Sequence, residues 1–145
     1  QAQQLAAFCV TGFERERPEL AALALVPDAL WLAAATTGAG ADIAALARQV
    51  RALGQAGDLL LAITIAGNEP AMLEAVQAAH ERDMTVVALT GRDGGALATL
   101  LRETDVQICV PHDRPARVRE VHALVLHCLC DGVDAQLLGE QENPI

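Results

Sequence analysis

The chain has 145 residues, enough for one domain, and 52% of them are hydrophobic, although only two Phe, one Trp and no Tyr are present. All ten basic residues are arginine, which excludes a Schiff-base lysine and a Walker-A phosphate lysine within these residues. The net charge of −9 repels nucleic-acid phosphates, and few aromatic side chains can stack on bases, so we expect no direct binding to DNA or RNA.

The first third of the chain predicts a helix, a strand and a second helix. An apolar helix is expected over residues 2–13, a strand over residues 19–26 after a charged turn, and an amphipathic helix over residues 41–53. Because no strand precedes the first helix, we expect that the chain lacks an N-terminal segment; the alternative is that a partner supplies that sheet edge.

Two short runs that are apolar on both faces, residues 58–65 and 85–90, predict buried parallel strands. Between them, residues 69–82 repeat apolar side chains at helical spacing and place Pro70 in the first turn. Strand, helix and strand together form a βαβ unit, which predicts a right-handed crossover.

The rest of the chain continues this alternation with a helix over residues 96–101, a strand over residues 104–110 and a long helix over residues 115–138. The whole pattern predicts an α/β fold: a doubly wound parallel sheet of at least four strands flanked by helices. We expect residues 1–138 to form this single domain and residues 139–145 to be a frayed tail.

The cysteines lie in apolar runs without a CxxC pair, so we expect four buried free thiols in a reducing cytoplasm: Cys9, Cys109, Cys128 and Cys130. A zinc site could be drawn from Cys128, Cys130, His122 and His127. However, side chains two residues apart on a helix point to different faces, and we expect neither a metal nor a cofactor. The apolar runs are too short to cross a bilayer and we find no signal peptide, which predicts a soluble, cytoplasmic protein.

One candidate ligand site is the turn after the first buried strand, since ligands of open α/β sheets bind beyond the carboxyl ends of strands. Thr64 is followed there by Gly67, which permits close backbone approach, by Asn68, which can cap a helix, and by Glu69. The amides of the following helix favour an anion, whereas the Glu69 carboxylate opposes one. An ordinary capped turn is an equal alternative.

Two further features could carry chemistry. Arg92 lies in a glycine-rich turn, residues 90–95, where it could meet an acidic ligand, although a tight structural turn is the commoner explanation. Glu120 and His127 are seven residues apart on the long helix and share roughly one face, from which they could move protons between neighbouring sugar carbons. The residues alone favour the alternative that His127 is a core histidine.

Five stretches of the sequence resemble sugar isomerase (SIS) domains: residues 13–18, 47–54, 57–68, 84–95 and 116–131. The similarity extends from residue 1 to about residue 138 and is greatest to the phosphoheptose isomerase branch, which includes the DnaA initiator-associating proteins. It implies a flavodoxin-like three-layer sandwich with an N-terminal helix and first strand that these residues do not contain.

The resemblance also implies an aldose–ketose isomerisation in which a glutamate and a histidine move protons through an enediol. The family's histidine position falls on His127. The glutamate position falls on Phe8, which cannot abstract a proton, and a glutamine position falls on Arg119.

The family's phosphate loop reads Ser-Thr-Ser-Gly-Asn-Ser, and here it is Thr-Ile-Ala-Gly-Asn-Glu over residues 64–69. Only the Thr64 hydroxyl is kept, and Glu69 places a negative charge where the resemblance puts the phosphate. The residues that we expect to contact a ligand are Thr64, Gly67, Asn68, Glu69, Arg119 and Glu120.

These departures favour a non-catalytic scaffold or regulator that assembles as a homotetramer and binds the replication initiator, with a sugar phosphate as a further ligand. Alanine-rich helices at residues 2–13 and 29–35 could pack against a second copy. The alternative is an active phosphoheptose isomerase that acts on sedoheptulose 7-phosphate in lipopolysaccharide heptose synthesis.

Overall fold

The computed structural model describes residues 1–26 and 41–139, which form two compact units. One unit comprises Leu25–Arg119 and contains the sheet. The other comprises Gln1–Ala24 together with the chain from Glu120 onward. The helix expected over residues 29–35 and the tail beyond residue 139 lie outside the described residues.

The sheet unit alternates strands and helices along the chain. Its three described strands are β1 (Leu59–Ile63), β2 (Thr85–Gly91) and β3 (Val106–Val110), which pair in parallel in the order β1-β2-β3. Its helices are α2 (Ala41–Leu53), α3 (Pro70–Glu81) and α4 (Gly95–Leu100), which follow α1 (Ala2–Thr11) of the other unit. The parallel sheet flanked by helices confirms the predicted fold class.

Small side chains allow these layers to pack closely. Val86, Ala88 and Leu89 of β2 are all inaccessible to solvent, as expected for a central strand that is covered on both faces. Helix α3 buries Val76 and a row of alanines against the same core. A chain with almost no aromatic residues therefore builds its core from short aliphatic side chains placed at close range.

The other unit contains α1 and most of α5 (Pro115–Leu138). Its central contact is Arg17, whose guanidinium donates to Asp134 Oδ1 at 2.5 Å and to the carbonyls of Cys9 at 2.8 Å and Phe8 at 2.9 Å. The Arg17 and Asp134 side chains are 1% and 3% exposed. Arg17 therefore satisfies carbonyl groups at the end of α1 and one oxygen of the buried Asp134 carboxylate, whose Oδ2 has no hydrogen-bond partner among the described residues.

Helix bounds are predicted well, but one strand is not formed. The predicted bounds of α2 and α5 match the structure, whereas residues 19–26 form no strand. Within that segment, the Leu20 N–H donates to the carbonyl of Cys9, a residue of α1, at 3.0 Å. A strand requires a neighbouring strand for its backbone hydrogen bonds, and the described sheet has three strands rather than the four expected.

The cysteines are free, as predicted, but not all are buried. Cys130 is buried, and burial raises the pKa of its thiol. Cys109, on the strand β3, and Cys128, on α5, are exposed, so the expectation of burial is wrong for both. An apolar run does not determine which face of an edge strand or helix is covered.

Helix α5 is, by length and composition, the one described helix that could cross a bilayer. Core helices of soluble proteins meet the same criterion. Here α5 contains the buried residues His122 and Asp134, and Asp134 is paired with Arg17.

Candidate functional site

The loop that joins β1 to α3, residues 64–69, closes around one hydroxyl group. Thr64, which is 5% exposed, accepts the N–H of Gly67 at 3.0 Å and donates its hydroxyl proton to Glu69 Oε2 at 2.5 Å. The Thr64 N–H bonds to the Leu89 carbonyl at 2.9 Å, which extends the pairing between β1 and β2. The predicted loop residues are therefore brought together at the carboxyl end of β1.

Glu69 occupies the N-cap position of α3 with an extended backbone, but its side chain makes no capping hydrogen bond to that helix. The carboxylate bonds to Thr64 instead. Because the first N–H groups of a helix form the positive end of its dipole, a negative charge here is favourable even without a direct bond. That Glu69 would compete with a bound anion stays a prediction.

Asn68 is a cap, although not of the helix that follows it. Its Oδ1 accepts the N–H of Ala96, in the first turn of α4, at 2.8 Å. The Gly67 carbonyl also accepts the N–H of Leu97 at 2.9 Å. Asn68 therefore caps a helix, but that helix is α4 and not α3, because α4 starts close enough to donate an N–H to its oxygen.

Two glycines allow this loop to interlock with the turn after β2. Gly67 has a φ of 72°, and a Cβ atom there would collide with the carbonyl oxygen of Gly94. Gly95, with a φ of 58°, lies against the Ala66 carbonyl and the Asn68 side chain. The glycine-rich turn therefore has the structural role that was offered as the commoner explanation, and Arg92 is an exposed residue in it at a φ of 57°.

His127 lies in a cluster of aromatic rings within its own unit. Its ring centroid is 5.9 Å from that of Phe8 and 5.2 Å from that of Phe13, and the two phenyl rings are 4.8 Å apart. His127 is half-buried, whereas His122 is the histidine of α5 that is fully buried. The core-histidine interpretation therefore fits His122 and not His127.

Arg119 and Glu120 are both exposed on α5. Glu120 and His127 belong to the same unit and the same helix, about 10.5 Å apart along its axis at roughly 1.5 Å per residue. Arg119 belongs to the sheet unit.

Over residues 1–26 and 41–139, no group of three or more His, Cys, Asp or Glu side chains could hold a metal ion, and this includes the cysteines and histidines of α5.

A buried polar centre in the sheet unit was missed at the level of sequence. Asp105 accepts the N–H groups of Val86 at 2.9 Å and Arg102 at 2.8 Å, and it lies 2.7 Å from His80 Nε2. Burial by itself raises the pKa of the Asp105 carboxyl, but these N–H groups and His80 together bring that pKa below its ordinary value. Nothing in the local pattern joins residues 80 and 105, because each lies in a different element.

An apolar groove lies along α5 in its own unit. It is lined by Leu20, Cys128, Leu129, Gly132, Val133, Gln136 and Leu137. Val133 and Leu137 are 37% and 54% exposed, respectively. Two exposed aliphatic side chains one turn apart form an apolar stripe on this helix.

Comparison with known proteins finds relatives that match nearly the whole chain. A family model described as an SIS domain matches residues 1–91. The phosphoheptose isomerase of Methylibium petroleiphilum is 58% identical over 142 residues, which span 97% of this chain and 70% of that protein. The phosphoheptose isomerase of Neisseria gonorrhoeae is 52% identical over 137 residues, which span 94% of this chain and 69% of that protein.

Solved structures agree with these relatives. The chain is similar to phosphoheptose isomerase GmhA from Neisseria gonorrhoeae with a TM-score of 0.83 at 48% identity. It is similar to a phosphoheptose isomerase from Francisella tularensis with a TM-score of 0.84 at 41% identity. Each comparison covers 92% of this chain and 69% of the other.

These findings contradict the expectation of a non-catalytic scaffold. Relatives that span nearly the whole chain at 58% and 54% identity are named phosphoheptose isomerase, which supports the alternative, an enzyme. The inclination against an enzyme, drawn from Phe8 and Glu69, is therefore wrong. None of the names that these relatives carry refers to a replication initiator.

Proposed function

The chain belongs to the SIS domain family, and from this premise we propose that it acts as a phosphoheptose isomerase, interconverting an aldose and a ketose form of a heptose phosphate. The observation that carries the proposal is the 58% identity, over 97% of the chain, to a relative of that name. Sedoheptulose 7-phosphate is the ketose substrate that we propose.

We assign the phosphate group to the β1–α3 loop. The Thr64 hydroxyl, which donates to Glu69 in this structure, and the Ala71 N–H in the first turn of α3 are the donors proposed for it, because Pro70 has no N–H and the Gly67 N–H is bonded to Thr64. Asn68 and Gly67 keep the loop in place through their bonds to Ala96 and Leu97. Arg119 and Glu120 are further proposed ligand contacts.

The chemistry of the proposed reaction is a proton transfer between neighbouring carbons. A base removes a proton from the carbon beside the carbonyl, and the carbonyl oxygen gains a proton to give an enediol. The former carbonyl carbon then takes a proton while the hydroxyl on the neighbouring carbon loses its own, which forms the new carbonyl. We assign His127 to this transfer because an imidazole ring has one nitrogen that can accept a proton and one that can donate a proton. Phe8 has no side-chain group that can accept or donate a proton. We therefore propose Glu120, on the same helix as His127, as the second proton-transfer group.

We also infer a homo-oligomer, a tetramer by family resemblance, located in the cytoplasm. The apolar groove of α5, with exposed Val133 and Leu137, supports an association between copies of the chain. Light scattering of the purified protein measures the number of subunits, and a monomer at micromolar concentration would contradict this part of the proposal.

The test of the activity is conversion of sedoheptulose 7-phosphate by the purified protein, followed by NMR. His127→Gln removes the proposed proton-transfer group and should lower kcat by about 10²- to 10⁴-fold. Cys128→Ser changes the exposed neighbour of His127 on the same helix and should leave the rate unchanged, which controls for local disturbance. Absence of conversion by the unmodified protein over hours would overturn the proposal.

Phe8→Glu supplies a second arm of the same experiment. Its ring lies 5.9 Å from that of His127, so a carboxylate at this position would stand beside the imidazole. If the activity depends on His127, we expect the added carboxylate to raise kcat. If Phe8→Glu folds but has a lower kcat than the unmodified protein, position 8 does not lie beside the reacting carbon atoms.

A further inference from the structure

We propose that the Glu69 carboxylate is an internal competitor for the phosphate group, so that a sugar phosphate enters the β1–α3 loop by displacing this side chain from Thr64. The inference rests on the proposed function for its ligand and concerns a residue that sets affinity and specificity at that site. The Glu69 side chain lies over the loop in the free protein and turns away from it when the phosphate group binds.

The first support is the contact itself. Glu69 Oε2 takes the hydroxyl proton of Thr64 at 2.5 Å, while the hydroxyl oxygen accepts the Gly67 N–H at 3.0 Å. A hydroxyl group donates one proton, so the Thr64 hydroxyl cannot donate to a phosphate oxygen until Glu69 leaves. The one hydroxyl of the loop is thus occupied by the protein's own carboxylate.

The second support is electrostatic. Glu69 is the N-cap residue of α3, so its carboxylate lies close to the positive end of the helix that would also attract a phosphate. The Glu69 carboxylate and a phosphate dianion at the same helix end would repel each other. Displacement of Glu69 removes both the competition for Thr64 and the repulsion.

The third support is that Glu69 can move while its neighbours cannot. Gly67 is held against the Gly94 carbonyl, and Asn68 is bonded to Ala96, so neither can open without breaking the contact between the two turns. Glu69 is an exposed residue with a long side chain, and rotation about its side-chain bonds carries the carboxylate into solvent. The adjustable part of the loop is therefore this one side chain.

The test measures the dissociation constant of inorganic phosphate by calorimetry for the unmodified protein and for two variants. Glu69→Gln keeps a hydrogen-bond acceptor for Thr64 but removes the charge, and Glu69→Ala removes both. We expect Glu69→Ala to bind phosphate more tightly by on the order of tenfold, and Glu69→Gln by a smaller factor. Glu74→Gln, one turn further along α3, makes the same change in net charge and should alter the constant less than twofold.

The outcome that overturns the inference is a phosphate affinity in both Glu69 variants that does not exceed that of the unmodified protein. Thermal unfolding of each variant verifies that it is folded, and Glu69→Gln, which is nearly isosteric, keeps the test valid if Glu69→Ala unfolds. Tighter binding in Glu74→Gln as well would assign the effect to overall charge, which also contradicts the inference.

Turnover of sedoheptulose 7-phosphate in the same proteins separates this inference from the proposed function. Tighter phosphate binding in the Glu69 variants without any turnover would support Glu69 as the competitor and contradict the isomerase. Turnover in the unmodified protein with unchanged phosphate affinity in the variants would support the isomerase and contradict the role of Glu69. If both hold, we expect Glu69→Gln to lower KM with little change in kcat.

Discussion

Replacement of Asp105 by alanine is expected to destabilise the sheet unit strongly, because one carboxylate joins three elements. It accepts the N–H of Val86 on β2, accepts the N–H of Arg102 before β3, and pairs with His80 at the end of α3. The Asp105 side chain is 1% exposed, so water cannot take its place without rearrangement.

The magnitude follows from the groups that lose their partner. The Val86 N–H would be left without an acceptor beside the core, at a cost of about 1–3 kcal/mol, and His80 would lose its carboxylate partner, at a cost of about 1–2 kcal/mol. The Arg102 N–H is exposed and water replaces the carboxylate there. We therefore expect Asp105→Ala to lower the free energy of unfolding by about 2–5 kcal/mol, against a typical total of about 5–15 kcal/mol.

Asparagine at this position separates charge from shape. Its amide oxygen still accepts the Val86 N–H, so Asp105→Asn should cost about 1–2 kcal/mol, less than alanine does. Urea unfolding followed by circular dichroism measures both variants, with Glu103→Gln, an exposed acidic neighbour, as the control. A loss below about 1 kcal/mol for Asp105→Ala would refute the reasoning, as would equal losses for the two variants.

The difference in stability between the unmodified protein and Asp105→Asn should depend on pH. The pKa of the Asp105 carboxyl is lowered in the folded protein from its ordinary value of 3.8, so its ionised form is favoured by folding. Stability from this group is present above pH 3.8 and is lost as the pH falls through the lower folded value. The difference in stability between the unmodified protein and Asp105→Asn should therefore decrease below about pH 4.

Two further predictions concern the interlocked turns. Gly67→Ala forces a side chain into a backbone with φ of 72° and against the Gly94 carbonyl, and we expect a loss of about 2–4 kcal/mol in urea unfolding together with weaker phosphate binding. A variant as stable as the unmodified protein would contradict the close approach. Asn68→Ala removes the acceptor of the Ala96 N–H and should cost about 1 kcal/mol, whereas Asn68→Asp keeps the oxygen and should cost less than half of that. Equal losses for these two variants would show that the amide nitrogen, and not the oxygen, matters.

Elements whose signal is local were predicted well. The periodicity over α2 and α5 lies entirely within each helix, and the apolar runs predict the positions of β1 and β2. The expectation of burial holds for most of β2 but is wrong for the start of β1, where Leu59 is 60% exposed. Residues 19–26 carry the same apolar signal but form no strand. Strand formation depends on a neighbouring strand, and an apolar run alone contains no information about one.

The candidate site shows the same limit. The position of residues 64–69 follows from the rule that ligands bind at the carboxyl ends of parallel strands, and the structure places them there. The partners of the loop could not be predicted, because Asn68 bonds to a helix 28 residues away and Gly67 is required by a carbonyl in another turn. Such contacts depend on tertiary structure and leave no trace in local spacing.

The two departures from the family pattern should affect different kinetic constants. The prediction of a non-catalytic protein rested on Phe8 first and on Glu69 second, yet proton transfer requires a titratable group within reach of the substrate and not a particular position along the chain. Under the proposed function, Phe8, which lies beside His127, would affect the chemical step, whereas Glu69, which is bonded to Thr64, would affect phosphate binding. An interaction that opposes binding of substrate and transition state equally raises KM and leaves kcat unchanged. A carboxylate at position 69 is therefore compatible with an active isomerase that binds its phosphate weakly, and the kinetic effect of position 8 belongs in kcat.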